Sequence, residues 1–161
     1  TMHRPANVDD PDTLARVMDC VVKISEKIPV VFPCPPRTAK RIEEFGILDG
    51  RPLDNFKIEK PLGYLDFLRL QAEAKIVLTD SGGAQGETTY LGIPCITLRD
   101  TTELVATVEE GTNTLCGTDP GKITAAVDRV FSGEPVNGRI PELWDGESAV
   151  RIVDTLRQKM L

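Results

Sequence analysis

The segment Lys75–Ile96, KIVLTDSGGAQGETTYLGIPCI, constrains the fold of this chain more than any other. It reads as a buried apolar strand (Ile76, Val77, Leu78), a polar tip (Thr79, Asp80, Ser81), two glycines, a short helix and, after Gly92, a second buried strand. That order points several unpaired backbone N–H groups and a helix N-terminus at one spot beyond the strand's carboxyl end. Such a spot binds phosphate, because the donors are free and the helix dipole places partial positive charge there. Gly82 and Gly83 let the backbone approach a diphosphate without a Cβ in the way. Glu87, about one turn into the helix, adds a carboxylate able to accept both hydroxyls of a ribose diol.

Local chemistry also admits a plainer reading. A strand, a turn at Gly82–Gly83 with Asp80 or Ser81 as helix cap, and an exposed Glu87 are ordinary α/β punctuation. Neither a P-loop nor a G-x-G-x-x-G fingerprint occurs, so the glycine pair by itself does not separate the two.

The remaining pattern extends the same architecture. Asp9–Lys27 reads as a helix capped by Asp10 or Asp9, with Pro11 in its first turn and Leu14, Val17, Met18 and Val21 on one face. Strands are expected at Val30–Phe32, Phe56–Ile58, Ile76–Thr79 and Cys95–Leu98, with a short edge strand at Thr114–Leu115. Helices are expected at Arg37–Phe45, at Tyr64–Ala74 with Leu65, Phe67 and Leu68 inward, and at Glu103–Glu110. Two amphipathic helices, Ile123–Phe131 and Ser148–Met160, flank a loop, Ser132–Gly146, that Ile140, Leu143 and Trp144 are expected to pin to the surface. Short buried strands alternating with helices imply a Rossmann-like, doubly wound parallel sheet. Ligands of such sheets lie beyond the strand carboxyl ends, where Thr1–Arg4, the Pro33–Arg37 loop and Asp80–Gly83 all fall.

Composition removes whole classes of function. A chain of 161 residues forms one domain burying on the order of 70% of its unfolded surface. No apolar run approaches the ~20 residues that span a bilayer. A net charge of −6 without a basic stripe argues against nucleic acid and anionic membranes as partners. Cys20, Cys34, Cys95 and Cys116 have no C-x-x-C spacing and sit in or beside apolar segments, which suits free thiols in a reducing cytoplasm. With one histidine in the chain, no metal site is expected.

The blocks TMHRPANVDDPDTL, VVFPCPPRTAKR, PLGYLDFLRL, DSGGAQGETTYLGIPCITLRDTTE, VEEGTN and GTDP, in that order over roughly residues 1 to 121, resemble the C-terminal half of the non-hydrolysing UDP-N-acetylglucosamine 2-epimerases. The resemblance implies the C-terminal half of a two-domain, glycosyltransferase-B-type architecture. It also implies a UDP-sugar substrate, no cofactor, an N-terminal catalytic domain as partner, and room for a homodimer. Ser81, Gly82 and Gly83 match the family's diphosphate cradle, Glu87 its ribose-binding glutamate, and Phe67 the aromatic beside the uracil, although Phe67 reads equally as plain core. His3 matches the histidine that faces diphosphate and sugar, and Arg4 beside it positions either a phosphate or a nearby carboxylate.

Several positions depart from the family. Pro35–Pro36 stands where a His-Pro pair is usual, Leu104–Val105 follows Glu103 in place of Arg-Pro, Gly86 replaces a glutamate, and Pro5–Ala6 replaces Ala-Glu. The missing arginine, a fork-shaped phosphate or sugar donor, has no substitute in leucine. These changes leave two rival readings beside the enzyme half: a non-catalytic nucleotide-sugar-binding module, and a glycosyltransferase donor domain. The resemblance further implies a strand leading into Thr1. Without it the sheet has a central gap, to be filled by upstream residues or another chain, or closed by rearranged strands.

Overall fold

The computed structural model describes residues 1–135 and 138–160. In chain order the elements are α1 (Pro5–Val8), α2 (Pro11–Ser25), β1 (Val30–Pro33), α3 (Pro36–Glu44), β2 (Phe56–Glu59), α4 (Tyr64–Ala72), β3 (Val77–Thr79), α5 (Gly82–Leu91), β4 (Cys95–Thr97), α6 (Val105–Glu109), β5 (Asn113–Leu115), α7 (Pro120–Phe131) and α8 (Ser148–Met160). The expected alternation is present, and every strand pairing is parallel. The sheet is nonetheless in two parts, β1–β2 and β3–β4–β5. The gap between β1 and β3 is not closed by rearranged strands.

The helix expected over 9–27 forms as the single helix α2, which Asp10, not Asp9, caps by accepting the Thr13 N–H at 2.8 Å. A separate four-residue helix, α1, opens at Pro5 ahead of it and was not expected. Leu14, Val17 and Met18 of α2 pack with Ile123, Ala126 and Val127 of α7 in the core. β4 is buried along its whole length, as a central strand covered on both faces must be. α5 ends at Gly92, whose φ of +70° closes the helix in the left-handed region that only glycine enters without strain.

Two expectations fail, and a third element, α8, forms as expected but buries none of its described residues. Leu65 is 76% exposed because the inward face of α4 is the one carrying Phe67 and Gln71. Of the three apolar residues expected to pin the 132–146 loop, only Trp144 is half-buried, while Ile140 and Leu143 face solvent. Positions 136 and 137 of that loop lie outside the described residues. α8 exists, but its apolar stripe (Val150, Val153, Leu156, Met160) is exposed throughout.

A buried polar network ties the second sheet part to α5. The Thr97 hydroxyl donates to Asn113 Oδ1 at 2.6 Å, and Asn113 Nδ2 donates to Gln85 Oε1 and Thr107 Oγ1 at 3.1 and 3.0 Å. Gln85 in turn donates to the Ser81 carbonyl and accepts from the Thr102 hydroxyl. Every side chain is thereby paired where water cannot reach. Replacing Asn113→Leu strands the Thr97 donor and one Thr107 acceptor site, and should cost about 1–3 kcal/mol in urea denaturation, since an unpaired buried polar group carries that penalty. An unchanged midpoint would show that the network relaxes without it.

Candidate functional site

Everything at the carboxyl end of β3 is arranged around Asp80, whose side chain is fully buried. Its carboxylate accepts the backbone N–H of His3 at 3.0 Å, the backbone N–H of Arg4 at 2.8 Å and Asn7 Nδ2 at 3.1 Å. His3 Nδ1 lies 3.2 Å from the same group, which fixes the ring and leaves Nε2 for a ligand. Asn7 also donates to the Leu98 carbonyl, so the N-terminal segment is clamped between the ends of β3 and β4. Thr38 donates to the Met2 carbonyl and the Thr1 hydroxyl reaches the Pro33 carbonyl. The three segments expected at this edge therefore meet. Arg37 turns away from it, onto Asp9, and Pro35 is the N-cap residue of α3, without a side-chain bond.

Beside His3 and Arg4 stands the start of α5. Ser81 is its cap, with Oγ accepting the Ala84 N–H at 3.4 Å and its own N–H bonded to Thr79 Oγ1. The Ser81 hydroxyl proton stays available. Among the described residues, the Gly82 and Gly83 N–H groups donate to none. A Cβ on Gly82 would lie 2.7 Å from Glu103 Oε1, so glycine is what allows an anionic group so close to the helix start. Glu103 itself is held by Arg99 at 2.7 Å and faces Arg4 at 3.6 Å. The Arg99 guanidinium holds its carboxyl down to about 2. Arg4 thus meets a carboxylate here, one of the two roles expected of it.

Glu87 is half-buried on the next turn, and its Oε2 accepts from Gln71 Nε2 at 2.7 Å. Gln71 is 2% exposed, so it fixes the carboxylate rigidly and leaves the second oxygen open. Phe67, one turn before Gln71 on α4, lines the apolar groove between β1 and β3. The structure therefore gathers Ser81, Gly82, Gly83, His3 and Arg4 at one edge with Glu87 a turn away, and places Phe67 along the groove. Asp80, Asn7, Gln71, Gln85 and Arg99 are supporting residues that short-range patterning did not single out as such.

Two family departures touch each other. A Cβ on Gly86 would meet both Leu104 Cδ1 and the Trp144 ring at 3.8 Å, an ordinary van der Waals distance, so positions 86 and 104 are neighbours in space. The four cysteines are free and buried, and burial raises each thiol, Cys34 to about 11. They take no part in the site.

An α/β domain with a helix start at the carboxyl edge of a parallel sheet belongs to the Rossmann-like class. Comparison narrows the class. The family model for UDP-N-acetylglucosamine 2-epimerase matches residues 1–157, and the chain belongs to that family. It is 40% identical over 159 residues to a UDP-N-acetylglucosamine 2-epimerase of Methanocaldococcus jannaschii, covering 97% of this chain and 43% of the relative. It is 36% identical over 155 residues to UDP-2,3-diacetamido-2,3-dideoxy-D-glucuronate 2-epimerase of Pseudomonas aeruginosa, covering 88% of this chain and 42% of the relative. The crystal structure of the Methanocaldococcus jannaschii epimerase in complex with UDP-GlcNAc and UDP superposes with a TM-score of 0.85 at 40% identity, over 98% of this chain and 44% of that one. The fold is the glycosyltransferase-B-type half expected, and the chain spans less than half the length of these relatives.

The Asp80 clamp can be tested directly. In Asp80→Asn an amide NH2 replaces one acceptor oxygen and faces donors on the N-terminal segment. We expect a loss of about 1–3 kcal/mol in denaturant unfolding, with faster amide exchange at His3 and Arg4. Wild-type exchange at both would show that the segment is held by other contacts.

Proposed function

We propose that this chain is the UDP-binding half of a UDP-N-acetylglucosamine 2-epimerase that interconverts UDP-GlcNAc and UDP-ManNAc. The observation that carries the reading is the juxtaposition of free first-turn N–H groups on α5 with a carboxylate on the same helix, held by a buried glutamine. Diphosphate and ribose diol are the two features of UDP that those groups suit. In this reading Ser81, Gly82 and Gly83 cradle the diphosphate, Glu87 accepts the ribose hydroxyls, Arg4 neutralises a phosphate oxygen, and Phe67 lies beside the uracil.

The proposed reaction removes the C2 proton and breaks the C1–oxygen bond, UDP leaving with the bonding electrons and a glycal remaining. Return of a proton to the opposite face of C2, with the UDP oxygen rebonding to C1 on its original face, inverts C2 alone and needs no redox cofactor. Charge builds on the departing diphosphate, so oriented N–H groups and a helix N-terminus stabilise the transition state. His3, fixed through Nδ1, presents Nε2 toward that group as its catalytic contribution. The acid/base groups at C2 belong to an N-terminal domain across a cleft. Homodimerisation is the next level of assembly in this reading, and a cytoplasmic location follows from the substrate and from four free thiols.

The second reading, a nucleotide-sugar-binding module without catalysis, draws on Leu104 packed beside Gly86 where a family arginine would reach the ligand. Deuterium incorporation separates the two. The full-length protein with UDP-GlcNAc in D2O should exchange the C2 proton and form the epimer, whereas the 161-residue chain alone should do neither. UDP binding by the full-length protein without exchange would favour the module.

Glu87→Ala should weaken UDP by about 10–100-fold, as expected for hydrogen bonds to a charged group, and leave inorganic diphosphate within about twofold. Isothermal titration with both ligands reads the difference. Equal losses would remove Glu87 from the ribose.

A further inference from the structure

The carboxylate beside the proposed diphosphate cradle belongs to Glu103, and its two oxygens are bound unequally. Oε2 takes the Arg99 guanidinium at 2.7 Å, whereas Oε1 lies 3.6 Å from Arg4 Nη2, within ion-pair range but beyond a hydrogen bond. Oε1 is also the atom that a Cβ on Gly82 would meet at 2.7 Å. A charged oxygen therefore rests, loosely held, against the first residue of α5, where first-turn N–H groups and the helix dipole favour negative charge. The Glu103 side chain is 55% exposed, which leaves room for Oε1 to turn away about the Arg99 bond. That bond also keeps the Glu103 carboxyl down to about 2, so the charge is present at every pH near neutrality.

That charge changes what the edge attracts. Arg4 and Arg99 bring two positive charges, and Glu103 and the buried Asp80 two negative ones. These four side chains are formally neutral together, so an arriving phosphate is held by N–H dipoles and not by a cationic excess. Each further charge on a ligand then meets the Glu103 carboxylate at short range. Repulsion between like charges about 5 Å apart shifts affinity roughly fourfold even at the dielectric of water. We propose that Glu103 is a specificity-determining residue: Oε1 keeps the place of a phosphate oxygen beside Gly82, and its charge ranks nucleotide ligands by how little charge their phosphates carry. The inference rests on the UDP-sugar reading given above. The two phosphates of a UDP-sugar carry one charge each, while the terminal phosphate of free UDP carries about −1.5 to −2 near pH 7. Glu103 thereby biases the site toward the intact nucleotide-sugar and against free UDP and nucleoside triphosphates. Arg4 passes from Glu103 to the ligand as it binds.

Titration calorimetry on the full-length protein with UDP-GlcNAc and with UDP is the test. At about 20 mM salt Glu103→Gln, which keeps an acceptor for Arg99, should tighten UDP by about tenfold and UDP-GlcNAc by about threefold. At about 0.5 M salt both gains should shrink to within about twofold, because exposed charges are screened. Glu103→Ala should rank the two ligands in the same order, so a folding fault in one variant does not decide the result. Glu26→Gln makes the same change in net charge at the exposed end of α2 that leads into β1. It should leave both affinities within about twofold. Affinities unchanged by both Glu103 variants would reduce Glu103 to a tether for Arg99 and overturn the proposal, with the UDP reading intact. Equal tightening of the two ligands, or a loss for either, would overturn it as well. Failure of wild type and variants alike to bind either ligand would remove the UDP reading, and this inference with it.

Discussion

A single carboxylate, Asp80, organises the edge of the sheet on which the site depends. It sits at the end of β3, fully buried, with donors arriving from residues 73 to 77 positions away in sequence. A buried charge is tolerated only when several donors surround it, and here those donors are the N-terminal segment itself. The segment therefore has no low-energy alternative: leaving the sheet would strand the carboxylate. His3 and Arg4 are placed beside α5 as a by-product of satisfying Asp80, so the candidate site inherits its geometry from an electrostatic requirement in the core.

α5 is the second organising element, held by buried amides at two points. Gln85 joins Ser81 to Thr102 and Asn113, and Gln71 reaches from α4 to Glu87. Both glutamines are among the largest fully buried side chains. An amide can donate and accept at once, which lets Gln85 link a helix start, a loop and a strand without adding charge. The Gly86–Leu104–Trp144 contact is a different kind of coupling. Two departures that look independent in sequence are neighbours in space, and the half-buried Trp144 ring packs beside them while Ile140 and Leu143 face solvent.

The parts legible in the sequence are those specified within a few residues. β3, the Ser81 cap, α5 and its Gly92 stop each depend on local signals, and all appear where expected. The short helix opened by Pro5 has no counterpart among the sequence expectations, since one four-residue turn is too short for periodicity to register. Leu65 was misassigned because helical spacing identifies faces without saying which one a neighbour covers. The roles of Asp80, Gln71 and Arg99 rest on partners in other elements or across a turn, and no spacing rule reports which of many polar residues will be enclosed together.

In an acidic protein positive potential can only be local, and Glu103 shows where it is concentrated. Its carboxylate lies against the Gly82 end of α5, bound by Arg99 and within 3.6 Å of Arg4. Its carboxyl is lowered to about 2, with the Arg99 hydrogen bond as the leading cause. A net charge of −6 spread over the surface is screened within about 8–10 Å at physiological salt. Two guanidinium groups and a helix terminus act at contact distance instead. At the start of α5 these near groups, with the Glu103 carboxylate among them, set the local potential, and the net charge of the protein does not.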